Sequence, residues 1–225
     1  MVKYIFRVID ISPHIHDVDQ RIIFDIHGPR IITICPTNTA MNITYIKPIS
    51  CDCALGQEYR KTYTMSTRFK TLIRGQSHGN IVINVRTRRI SFTHELNGLI
   101  RRVSDTLSDA EETFYIDTED ASTFPLRLDR WKQFIHMLKD ITTRVDVSDT
   151  SVTFSGDDCG AAYECHSCLP CTFEMKYEDF KFIYDIWGNE CENELKMGLG
   201  ANGIIFIRGK NLLGQQCTGY ISPIS

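Results

Sequence analysis

An α+β fold built as two copies of one module is what this sequence predicts, and three observations predict it. Most of the chain alternates apolar and polar residues at period two, and a few short stretches switch to a period near 3.6. The order of these segments in the front half then returns in the rear half. At 225 residues the chain is long enough for two modest domains. The boundaries that follow are a first domain over residues 1–103, a connector over 104–122 and a second domain over 123–225.

The strand segments are rich in Val, Ile, Thr and aromatic residues, as half-buried antiparallel strands are. They include 31–34, 40–46, 81–85, 145–154, 172–175 and 203–207. Tight turns are expected at His27-Gly28-Pro29 and Ala201-Asn202-Gly203. Three helices are expected from apolar stripes. Trp131, Phe134, Ile135, Leu138 and Ile141 form one, with Asp129 as its N-cap. Phe69, Leu72 and Ile73 form another behind Ser66 or Thr67, and Tyr177, Phe180, Ile183 and Trp187 form the third. A shorter helix is expected to open at Ser12-Pro13, with Ser as cap and Pro in the first turn. The stretch 103–122 is rich in Ser, Asp, Glu and Thr and has no sustained period, so it reads as the connector.

Composition bounds the function. Apolar residues make up 42% and charged residues 24%, an ordinary globular balance, and no run nears the roughly 18–20 apolar residues of a membrane span. The start, Met1-Val2-Lys3-Tyr4-Ile5-Phe6-Arg7, interrupts its apolar residues with charges and does not read as a secretory leader, so an intracellular address is expected. A net charge of −3 argues against a wholly basic nucleic-acid surface but allows a basic lining within an acidic body. Nine cysteines, an odd number, are expected to be free thiols in a reducing compartment.

Several phrases then carry a resemblance. They are Thr172-Phe173-Glu174-Met175-Lys176-Tyr177-Glu178-Asp179-Phe180, the helix with Phe134, His136, Lys139 and Asp140, the run Leu195-Lys196-Met197, and the ending Gly219-Tyr220-Ile221-Ser222-Pro223-Ile224. In order and spacing they resemble the sliding clamps related to proliferating cell nuclear antigen. The likeness spans nearly the whole chain, is closest from about residue 124 onward, and is loosest before residue 31. The opening helix is shorter than the family's and lacks its basic residues, His14 and His16 being the only candidates. This divergence suits a viral or remote member.

The resemblance implies a DNA clamp fold of two similar domains, with antiparallel sheets outside and short helices inside. It implies a DNA polymerase processivity factor that encircles double-stranded DNA, assembles as a homotrimer, works in the nucleus, catalyses nothing and holds no cofactor. Its partners would be a DNA polymerase and other replication proteins that dock short hydrophobic peptides. A checkpoint-type clamp subunit, or a clamp-fold scaffold or transcription factor that forms no ring, is the alternative reading.

The residues suggest where such contacts lie. Lys132, His136 and Lys139 stand away from the apolar stripe of their helix, as Arg68 and Arg74 do from theirs. They are the candidate DNA lining, through phosphate contacts that ignore base sequence and weaken with salt. A solvated helix face would look the same. The candidate docking pocket comprises Met41 and Ile43 on a first-domain strand, Tyr220, Pro223 and Ile224 on the tail, and Phe114, Tyr115 and Ile116 in the polar connector. The connector triplet serves equally well as a staple onto the body.

Other motifs lose to plainer readings. Gly198-Leu199-Gly200-Ala201-Asn202-Gly203 has the letters of a dinucleotide loop, but a strand follows it where a helix is required, so it reads as a hairpin turn. Cys165, Cys168 and Cys171, with Cys159 and His166 nearby, lack a second pair at structural-zinc spacing. Cys51-Asp52-Cys53 is weaker still. His14 and His16, at i and i+2, diverge on a helix. Asn42-Ile43-Thr44 means nothing without a secretory route, and no local signature of nucleophilic catalysis occurs.

Overall fold

The computed structural model describes residues 2–25, 27–52, 60–111, 120–138, 142–166, 168–222 and 224. The chain divides into two compact units: the first is Met1–Thr33 with Ile43–Phe114, the second Ile34–Asn42 with Tyr115–Ser225. Both are α+β, with antiparallel sheets and few, short helices. Among the described residues no helix is long and apolar enough to cross a membrane.

In chain order, the elements up to residue 109 are β1 (Lys3–Arg7), α1 (Val8–Ile11), β2 (Asp19–Asp25), β3 (Gly28–Ile34), β4 (Ala40–Tyr45), β5 (Ser50–Cys51), β6 (Lys61–Thr64), α2 (Thr67–Ile73), β7 (Asn80–Asn84), β8 (Arg89–Leu96), β9 (Leu99–Thr106) and β10 (Ser108–Asp109). After it come β11 (Asp120–Arg127), α3 (Leu128–Met137), β12 (Thr142–Val147), β13 (Ser151–Ser155), β14 (Gly160–Glu164), β15 (Cys171–Lys176), α4 (Tyr177–Trp187), β16 (Glu194–Gly200), β17 (Ile205–Lys210) and β18 (Gln216–Ile221).

Apart from the two-residue strands β5 and β10 and a 3-10 turn at Ser12–His14, both series read strand, helix, four strands, helix, three strands. The pairings match as well. The antiparallel run β1–β7–β8–β9 has its counterpart in β11–β16–β17–β18. The order β6–β2–β3–β4 has its counterpart in β15–β12–β13–β14. Each unit buries its own core. Phe6, Val8, Phe24, Phe69, Ile73, Ile81, Ile83 and Phe92 fill the first. In the second, Trp131 stacks on Phe180 with ring centroids 4.9 Å apart and meets Trp187 edge-on, while Phe134 stacks on Phe154. Offset and edge contacts of this kind add about 0.5–1.5 kcal/mol each beyond area burial.

The helix ends show why the chain folds this way. Of the two candidates Ser66 and Thr67, Ser66 caps α2, its hydroxyl oxygen accepting the Phe69 N–H at 3.1 Å. Two other expected caps are corrected. Helix α3 starts at Leu128 behind an extended Arg127, so Asp129 sits in the first turn and is not the N-cap. Asn193 satisfies the helix start from a distant segment: its carbonyl accepts the Leu128 N–H at 2.9 Å and its side chain the Asp129 N–H at 3.0 Å. Helix α1 opens at Val8, directly after β1, with the Val8 N–H donated to the Gly79 carbonyl at 3.1 Å. Ser12 is thus its C-cap, and Pro13 lies in a 3-10 turn over Ser12–His14.

The glycine-rich stretch is a hairpin, β16–β17, with Gly203 at φ 77°. Gly198 has a separate reason: a Cβ there would fall on the Ser122 carbonyl oxygen and the Phe206 ring. Gly198→Ala should therefore push β11 from β16 and cost about 1–3 kcal/mol. A lower denaturation midpoint at unchanged m-value is the expected readout. The expected connector is partly strand, since β9 runs to Thr106 and β10 pairs with β6, Ser108 opposite Thr64. Phe114, Tyr115 and Ile116 lie outside the described residues.

Candidate nucleic-acid interface

The exposed side of α3 carries Arg130, Lys132, Gln133 and His136, while Leu128, Trp131, Phe134 and Ile135 are buried. Asp129, its one carboxylate, is held by the Arg127 guanidinium at 3.0 Å, which keeps its carboxyl below the usual carboxylate range. What remains on that face is cationic. Sequence reasoning missed Arg130, because a cap assigned to Asp129 left no helical face for its neighbour. Lys139 lies outside the described residues. The neighbouring α4 offers no such surface, since Lys181 is paired with Asp185 and Glu178 is exposed.

On α2 of the first unit, Arg68 is exposed and Lys70 is not. The Lys70 ammonium donates to the Val18 carbonyl at 3.0 Å, spending its charge on a backbone acceptor. Arg74, at the helix C-cap, is ion-paired with Asp17. Both partners are exposed, so this pair contributes little stability, but Asp17 competes with any phosphate for Arg74.

Beside that pair, the His16 ring is pushed down to about 4, first by burial, then by the charges of His14, Arg74 and Lys70, with Asp17 acting in the opposite sense. Its Nε2 is buried without a hydrogen-bond partner among the described residues. Above pH 6.5 the ring is neutral in native and unfolded chains alike. As pH falls below that value the unfolded chain takes up a proton that the native state refuses until about 4, so stability is lost across this window. Between pH 6.5 and 5 the wild type should lose about 2 kcal/mol more than His16→Gln, checked by denaturant melts at each pH.

The candidate docking residues differ in access. Ile43 and Tyr220 are each 8% exposed, Met41 is half-buried and Ile224 is 37% exposed. Pro223 lies outside the described residues. Met41 and Ile43 share one face of β4, as residues two apart on a strand do.

Among the described residues six strands end sheets, and β9 and β14 are two of them. Among the described residues β9 pairs only with β8, and β14 only with β13. At the start of β9 the apolar side chains are outside: Leu99 is 77% exposed and Ile100 66%. Arg101 and Arg102 follow them on the same strand, also exposed, and Glu164 is exposed on β14. An uncovered apolar sheet edge invites pairing with another chain. Among the described residues, no group of three or more His, Cys, Asp or Glu is arranged to hold a metal. No family model matches the chain, and no curated protein matches it.

Proposed function

We propose that this chain is one protomer of a sliding clamp: a ring around duplex DNA, made of two-domain clamp-fold subunits, that tethers a replicative polymerase without catalysis of its own. The observation that carries the reading is the repeated module, with the same order of ten elements and the same strand pairings in both series. Repetition of this kind also supplies a rule for assembly. In the correspondence β9 matches β18 and β14 matches β4, and the start of β4, Ala40–Asn42, runs beside β18 in the second unit. The same neighbour relation, made between copies, joins β9 of one protomer to β14 of the next and leaves neither edge free. Arg101 and Arg102 facing Glu164 suit that junction electrostatically.

The cationic face of α3 and Arg68 of α2 supply the phosphate contacts, and their sequence-blind character is what sliding needs. The docking surface for polymerase peptides is assigned to Met41, Ile43, Tyr220 and Ile224 with the connector and tail residues named above. Primer extension on a long template tests the reading: product length should rise severalfold when the protein is added with its polymerase and loader. Unchanged product length in that complete system overturns it.

A further inference from the structure

We propose that Cys165 and Cys168 form an oxidisable dithiol, a modification site that closes to a disulfide and reopens on reduction. β14 ends at Glu164, and the next N–H, that of Cys165, is held by the Thr150 carbonyl at 2.9 Å. Three residues on, Cys168 returns its sulfur to within 2.6 Å of the Cys165 sulfur, and the two residues are 3% and 5% exposed. Two sulfurs already in contact across a Cys-x-x-Cys spacing can bond without a large backbone excursion.

The neighbouring thiols have partners of their own. The Cys159 thiol donates to the Met137 carbonyl at 2.8 Å, Cys171 is hydrogen-bonded with Ser122, and the Cys35 sulfur lies 3.1 Å from the Thr37 hydroxyl. Cys191 and Cys217 make another thiol contact, on other elements of the second core. Among the described residues no third metal-binding side chain joins Cys165 and Cys168 in a group that could hold a metal.

With a small-molecule disulfide as oxidant the chemistry balances. The thiolate of one cysteine attacks the small disulfide, whose sulfur–sulfur bond breaks and releases one small thiol with the electron pair and a proton. The thiolate of the other cysteine attacks the resulting mixed disulfide, the Cys165–Cys168 bond forms, and a second small thiol leaves. Two protein thiols are oxidised and one small disulfide is reduced. Burial sets the pace: the Cys168 thiol is pushed up to about 12, by burial first and then by its bond to Cys165, so thiolate is scarce at neutral pH.

The test uses the native full-length chain treated with oxidised glutathione, then alkylated in denaturant, reduced, and labelled with a second alkylating reagent. The expected result is loss of two of the nine thiols, with the second label at Cys165 and Cys168 and recovery of both after dithiothreitol. Cys165→Ser should abolish the paired loss. If that variant does not fold, one equivalent of a trivalent arsenical on the unaltered protein gives the second readout, because it bridges close dithiols and should shield both positions from alkylation. Cys165 and Cys168 remaining freely alkylated in both treatments, or second label confined to Cys191 and Cys217, overturns the proposal.

Discussion

Leu99→Asp combined with Ile100→Asp is expected to turn an assembled species into a 25.8 kDa monomer, read by light scattering over a dilution series. The two side chains are 77% and 66% exposed, so they contribute almost nothing to the first core, and the variant should keep its fold. Covering one large aliphatic side chain contributes about 1.5–3 kcal/mol, so removing two forfeits about 3–6 kcal/mol of association. At about 1.4 kcal/mol per tenfold, the dissociation constant rises by roughly two to four orders of magnitude. Arg101→Glu with Arg102→Glu should act in the same direction by setting like charges against Glu164 of β14. Compensation by Glu164→Arg would identify β14 as the partner strand. A wild type that stays monomeric at every concentration removes the ring from the proposed function.

Replacing Arg68, Arg130 and Lys132 with alanine should shorten residence on circular duplex DNA and flatten its salt dependence. Each phosphate contact removed takes about 0.9 from the slope of log affinity against log salt, so three in one protomer remove about 2–3. At moderate salt the expected loss of affinity is at least tenfold, with no change in base preference, because none of these side chains is proposed to read a base edge. Arg74→Ala is the internal comparison: its guanidinium is already shared with Asp17, and its removal should move the slope less than removal of Arg68. Nitrocellulose retention or single-molecule dwell times measure all of these.

Local pattern made much of the fold readable. The 3.6 period placed the stripes of α2, α3 and α4, Ser66 sits where a cap belongs, and the turn at Ala201-Asn202-Gly203 lies between β16 and β17. What escaped was set by partners far along the chain. Asp129 has the chemistry of a cap, but Asn193 does the capping, and no window around residue 129 contains it. Val8 begins a helix because Gly79 accepts its N–H. Charge behaves likewise. A periodic pattern tells which side of a helix Arg74 and Lys70 leave, but Asp17 and the Val18 carbonyl decide what those cations are worth. Leu99 and Ile100 are exposed, and it is the strand order, not their composition, that places them on the last strand of a sheet.

Asn42 accepts the indole N–H of Trp187 at 2.8 Å, Thr39 donates to the buried Asp179 carboxylate, and Cys35 and Ala40 lie in the core of the second unit. These ties join residues 140 to 145 positions apart. A nascent chain therefore exposes its early hairpin tip long before the helix that receives it leaves the ribosome. Severing the chain between residues 104 and 122 should not yield two self-sufficient halves: the rear piece lacks the plug for its tryptophan, and the front piece carries that plug in solvent. Mixed together, such fragments have a ready-made means of finding each other, so splitting the gene there offers a route to a protein assembled on demand.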